Sequence, residues 1–445
     1  MISIKIPKGY RLPAIGRPSV DIDDLAPPMQ VGVHPAATPG IKPLLKVQTG
    51  DRVSIGSLLL VDKHRPDIRF LSPGGGTVES ITIGPRRSVS AVAIRLDAEE
   101  SRVGPGELSL ANISDMERRD LVEYLLAGGV WPFFRSLPYY DIADPTIVPP
   151  SIIVSLSDLE PFHPDPRVYL PSGPEMLQAG LEVLKRLTPR VVVTIHEDHD
   201  DGNWDIPGIT VYRLSGDYPA TDPGVLLYRT KTSAAEHGAW FIDGQDLLAV
   251  SQLAQTGLYP VERVVVLAGS AVKNPKHVRT RMGIPLTHLV GTDAPGTGVR
   301  TIDGGVFRGR TAEVDDFLGW YGKTITRIPE GTYREFLGFV RPGYRKTSYS
   351  RTFLSCLNRS LFPVDTNIHG GLRACIACGF CAEVCPVDIL PQLTYKAVLA
   401  GEVEFSLRHG LLDCVECGLC SYVCPSKIDV SGTLQTAKAA YYREI

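Results

Sequence analysis

Eight of the nine cysteines fall between Cys375 and Cys424, in two copies of one pattern. The first copy is Cys375, Cys378 and Cys381, then Cys385-Pro386; the second is Cys414, Cys417 and Cys420, then Cys424-Pro425. This C-x2-C-x2-C-x3-C-P run, written twice, is the ligand spacing of a protein with two [4Fe-4S] clusters. A cubane needs four thiolates around it. The two short gaps turn three sulfurs inward from one tight loop, and the fourth comes from elsewhere. In two-cluster proteins of this kind, the cysteine before the proline ligates the other cluster. The spacing therefore predicts one cluster on Cys375, Cys378, Cys381 and Cys424, and a second on Cys414, Cys417, Cys420 and Cys385. Gly379 and Gly418 are expected where backbone passes close to a sulfide corner. Pro386 and Pro425 are expected to end the loops and start the next helices.

Other uses of cysteine fit less well. Zinc sites use C-x2-C pairs without a third cysteine two residues further on. Disulfide frameworks belong to small secreted domains in oxidising compartments. Cys356 stands outside both motifs and is expected to be an ordinary buried thiol.

The chain has 445 residues, room for two to four domains. No stretch reaches the roughly 18 uninterrupted apolar residues of a membrane helix. The opening residues Met1 to Lys8 lack a signal-peptide apolar region. A formal charge of −3 gives no electrostatic case for nucleic acid. These features predict a cytoplasmic chain whose membrane contact is peripheral, through partner subunits.

Four segments follow in order. Residues 1–102 read as β, with hairpin-like stretches at Leu45–Leu60 and Phe70–Ile81. Their V-x-x-G-D-x-V-x-x-G-x-x-L punctuation resembles the biotinyl/lipoyl barrel-sandwich. Asp62-Lys63 lies where that family carries its modified lysine, but the stretch to Ser72-Pro73 is too long for the attachment hairpin and contains Pro66. Gly74-Gly75-Gly76 has no following helix and reads as a turn, not a phosphate cradle. Residues 103–256 read as a Rossmann-like α/β unit. Ser151–Ser155 and Val191–Ile195 have the continuous β-branched composition of buried parallel strands, with a helix at Pro174–Leu187 between them. No G-x-G-x-x-G follows the first strand. Residues 257–345 return to β, with strands at Arg263–Gly269 and Val278–Thr280 and a short helix toward Leu289, as in a soluble-ligand-binding (SLBB-like) β-grasp unit. Residues 346–445 form the cluster domain. Apolar spacing predicts a helix pair within Val387–Asp413 and a last helix over Thr433–Tyr442, so the domain is a helical ferredoxin-like one. The fold class expected is multidomain α+β.

This order resembles the C-type subunit of the Rnf ferredoxin:NAD oxidoreductase and the flavin subunit of respiratory complex I. A closer match is the A-type subunit of the Na+-translocating NADH:quinone reductase (Nqr). The resembling segments are Met1–Pro13, Lys46–Lys63, Ser233–Trp240, Arg263–Leu289 and Gly343–Leu354. The cysteine tail departs from the Nqr pattern and looks like that of the Rnf C-type subunit. A second departure concerns cofactors. The Rnf and complex I relatives carry a glycine-rich loop for FMN and NADH. The corresponding Leu126–Phe134 keeps only Gly128 and Gly129, with Trp131 and Phe133 in the space a flavin phosphate needs. FMN and NADH binding by this chain is therefore not expected. The resemblance implies quinone as a substrate of the complex but places no quinone pocket in this chain; Glu236, His237 and Trp240 are the residues kept as candidate contacts.

Three functions compete. In the first, the chain is the peripheral, cytoplasmic-side A-type redox subunit of an Nqr/Rnf-type enzyme complex in the cell membrane. That complex couples NADH oxidation and quinone reduction to Na+ translocation, with electrons passing through the two clusters. The second is an Rnf C-type chain facing NADH and ferredoxin. The third is a non-catalytic scaffold stapled by structural clusters.

Overall fold

The computed structural model describes all residues except 36, 37, 39, 85–87, 171–176, 201–203, 205, 292–297, 332–335, 338, 339, 351, 352 and 445. The barrel-sandwich consists of a four-stranded sheet (Gln30–Val33, Val89–Leu96, Gly76–Ile83, Arg52–Val53) facing a three-stranded one (Pro43–Leu45, Leu58–Asp62, Arg69–Leu71). Asp62 is fully buried at the hairpin end and accepts hydrogen bonds from the Lys42 and His64 N–H groups and from Arg65. Lys63 is exposed beside it. The Gly74–Gly76 turn already holds an anion of its own: the Glu100 carboxylate accepts from the Gly75 N–H at 2.7 Å and pairs with Arg281.

The α/β unit is a seven-stranded sheet. At its centre Ile152–Ser155 lies between Val191–His196 and Trp240–Asp243, parallel to both. All ten residues of the first two strands are buried, which is why the sequence shows no polar alternation there. The connecting helix is described from Gln178 to Leu187; Pro174 to Met176 lie outside the described residues.

The first 24 residues depart from the all-β unit expected over 1–102. Ile2–Lys5 pairs in parallel with Thr210–Ser215 at the edge of the α/β sheet, and Ile22–Asp24 pairs with Lys276–Arg281 in the β-grasp sheet. A strand of three or four residues fits any sheet edge with a free ladder, so its pattern does not say which sheet receives it.

The β-grasp unit has six strands, including Glu262–Ala268, Lys276–Arg281 and Thr324–Pro329. Among the contacts that join it to the other units, two are deeply buried. Asp246 pairs with Arg263 and Lys323 at 3.0 and 2.8 Å, all three buried. Trp320 packs against Phe70 of the barrel-sandwich and Phe133 of the α/β unit, with ring centroids 5.0 and 5.8 Å apart.

The C-terminal domain contains the expected helix pair, Pro391–Leu399 and Val403–Arg408, and a last helix at Val430–Glu444. Pro386 and Pro425 do not start helices. Each opens a turn completed by a left-handed residue, Asp388 or Lys427, and the next helices begin at Pro391 and Val430. Cys356 is exposed, not buried, because it sits in a short 3-10 turn, Leu354–Leu357, with exposed Leu354 and Leu357 beside it.

Candidate iron–sulfur centres

The two cysteine motifs fold alike. The residue two after the first cysteine is left-handed in each, Ala377 with φ 54° and Glu416 with φ 56°. Gly379 and Gly418 follow with φ 81° and 77°, each capping a one-turn helix, Phe380–Glu383 or Leu419–Tyr422. The left-handed backbone is what requires glycine there. At Gly418 a Cβ would also lie 2.8 Å from the Phe307 carbonyl oxygen.

All eight thiols are free, and the loops bring them into two groups. One cavity is bordered by Cys375, Cys378, Cys381 and Cys424. A second is bordered by Cys385, Cys414, Cys417 and Cys420 together with Cys381. In each group three cysteines come from one motif and the fourth from the other. Cys381 borders both cavities, so the two centres are neighbours. Among the described residues no three His, Cys, Asp or Glu side chains close around a single metal ion. The cysteines line two cavities instead, the arrangement a cubane needs.

The two centres differ in exposure. Cys375 and Cys378 are exposed, whereas Cys385, Cys414 and Cys420 are buried. Burial pushes the Cys385 thiol up to about 11 and the Cys417 thiol up to about 12; it also raises Cys381, Cys414 and Cys420. Thiols raised in this way must give up their protons to serve as iron ligands.

The cluster domain is docked on the α/β and β-grasp units by charge and by hydrogen bonds to its backbone, and Lys438 of its last helix braces it from within. Lys8 and Arg229 pair with Asp388 at 2.9 and 2.8 Å. Burial opposes ionisation of Asp388, but these cations outweigh it and hold the carboxyl below its usual range. Arg229 donates to the Pro386 carbonyl at 2.7 Å. At the second loop, Tyr218 donates to the Cys417 carbonyl at 2.9 Å, Arg308 to the Val415 carbonyl at 2.9 Å, and Lys438 to the Cys414 carbonyl at 2.8 Å. Sequence reasoning missed these three. Only Lys438 left a signal: it follows Val430 and Leu434 at intervals of four, a charge on the buried stripe of its helix.

The three quinone candidates separate. Trp240 is in the core, edge-on to Trp131 at 5.7 Å. Glu236 closes a capping box with Ser233, and its carboxylate accepts from the Thr232 N–H and hydroxyl. His237 borders a small cavity that reaches Cys414 and Val415, and its ring accepts from Lys231, which pairs in turn with Asp413. The Leu126–Phe134 loop is filled by its own side chains. Trp131 and Phe133 are buried, and the Trp131 N–H donates to the Ala143 carbonyl at 2.8 Å.

Comparison with known proteins fits this arrangement. Residues 4–97 match the family model of the NqrA N-terminal barrel-sandwich hybrid domain, and 116–259 that of the NqrA second alpha/beta domain. Residues 264–314 match the NQRA C-terminal domain (SLBB), and 374–428 the 4Fe-4S dicluster domain. The chain is 35% identical over 409 residues to the A-type subunit of the Na(+)-translocating NADH-quinone reductase of Pseudomonas aeruginosa, covering 91% of each chain. It is 33% identical over 408 residues to the same subunit of Hahella chejuensis, again with 91% of each covered. A chain of an H2-reduced NAD+-reducing [NiFe]-hydrogenase aligns over 77% of this chain and 66% of its own, at 13% identity and a TM-score of 0.37.

Proposed function

The chain belongs to the NqrA family, the A-type subunits of the Na(+)-translocating NADH-quinone reductase, and from that premise we propose that it is a peripheral redox subunit passing electrons through two [4Fe-4S] clusters. The observation that carries this reading is the pair of adjoining cavities, each bordered by four free cysteines drawn three from one motif and one from the other. Cys375, Cys378, Cys381 and Cys424 would hold one cluster; Cys385, Cys414, Cys417 and Cys420 the other. When bound, such clusters supply one-electron oxidation and reduction. The chain's own residues then set the conditions. Buried Val384, Val387, Val415 and Leu419 keep water from the second site, while exposed Cys375 and Cys378 leave the first open to a partner.

The complex would couple NADH oxidation and quinone reduction to Na+ translocation, with this chain on the cytoplasmic face of the cell membrane. Among the described residues no helix is long and apolar enough to cross a membrane, and we assign the ion path to partner subunits. The filled Trp131–Phe134 loop favours this over a chain that binds FMN and NADH itself. The test is an anaerobic redox titration of the purified chain followed by EPR, with NADH or dithionite as reductant. Cluster signals with dithionite alone support a carrier fed by partner subunits. Signals with NADH alone would overturn it in favour of an Rnf C-type chain.

A further inference from the structure

The second cysteine loop is held from outside in a way the first is not. Four successive carbonyls, those of Cys414, Val415, Glu416 and Cys417, each accept from a different side chain: Lys438, Arg308, Gln435 and Tyr218. Among the described residues, no side chain donates to the matching carbonyls of Cys375, Ile376, Ala377 and Cys378. The Glu416 N–H, which shares a peptide with the Val415 carbonyl, donates to the Cys414 sulfur, and further along the loop the Leu419 N–H donates to the Cys417 sulfur.

Two of the four donors are cations, Lys438 buried and Arg308 with a side chain 27% exposed. Lys438 also pairs with Glu416 at 2.9 Å, and Arg308 with Asp222 at 2.6 Å. Lys438 Nζ thus lies between the Cys414 carbonyl at 2.8 Å and the Glu416 carboxylate at 2.9 Å, the first belonging to a ligand cysteine and the second to the residue before Cys417. Reduction adds one negative charge to a centre of this kind. In a buried site that charge is costly, and a fixed cation offsets it far more than it would in water. The first centre has a cation of its own, Lys427 near Cys424, but also two exposed cysteines and hence solvent.

We propose that Lys438, seconded by Arg308, is a positioning residue that sets the reduction potential of the centre held by Cys385, Cys414, Cys417 and Cys420. Its Nζ fixes the loop through the Cys414 carbonyl and supplies the charge that favours the reduced state. This rests on the two-cluster reading above.

The experiment is an EPR-monitored potentiometric titration of the full chain, with iron and sulfide measured on every sample. The second centre is identified as the signal retained in Cys378→Ala. Lys438→Met should lower the midpoint of that signal and leave the other in place, and Lys438→Arg should restore it. Glu416→Gln removes the counter-charge and should move the same midpoint upward, which keeps the test open if Lys438→Met fails to assemble. Midpoints unchanged in both variants, or moved in the same direction by both, would overturn the proposal. A wild-type chain without iron for two clusters would instead defeat the function reading.

Discussion

Asp246 is 2% exposed at its side chain and lies between Arg263 and Lys323, which are nearly as buried. Asp246→Ala would leave Arg263 without its carboxylate and Lys323 with Asp243 alone, 2.9 Å away. Removing one partner from a buried ion pair costs about 3–5 kcal/mol, because the other charge stays desolvated. The variant is expected to lose that much stability in denaturant unfolding, where a loss below about 1 kcal/mol would contradict the account. Legibility at this scale follows range. The eight motif cysteines were readable because their relation is local and written in spacing. Arg308 and Tyr218 reach their carbonyls across 107 and 199 residues. A backbone acceptor leaves no mark in the sequence, so nothing paired these residues with the loop.

Among elements, Ile152–Ser155 and Val191–His196 were legible because burial on both faces demands an unbroken apolar run. The helices at Pro391–Leu399 and Val430–Glu444 were legible from apolar spacing. Ile2–Lys5 was not, since its place beside Thr210–Ser215 is decided by an open sheet edge and not by its own residues. The turns after Pro386 and Pro425 were misread because proline marks both a helix start and a turn. The crossing of the motifs is an element-scale prediction. Cys424 belongs by sequence to the second motif but borders the cavity of the first. Cys424→Ser and Cys375→Ser should therefore abolish the same EPR signal. Loss in Cys424→Ser of the signal that Cys414→Ser removes would refute the crossing.

For the whole molecule, the order barrel-sandwich, α/β unit, β-grasp unit and cluster domain was legible, and the family matches bear out that fold class. How the units lock together was not. The aromatic contact of Phe70, Phe133 and Trp320 and the grip of Lys8 and Arg229 on Asp388 unite residues far apart in the chain. The grip on Asp388, with Tyr218 and Arg308 on the second loop, sets the buried cysteines against the α/β and β-grasp units, while Cys375 and Cys378 stay exposed. The central claim is that this scaffold holds two four-iron clusters. The most direct measurement is iron, sulfide and zinc analysis of the anaerobically purified chain, with spin quantification after dithionite reduction. The account predicts iron and sulfide for two four-iron clusters per chain and two reducible centres that broaden each other's signals through proximity. Zinc in place of iron, or iron for a single cluster in a fully folded chain, would contradict it.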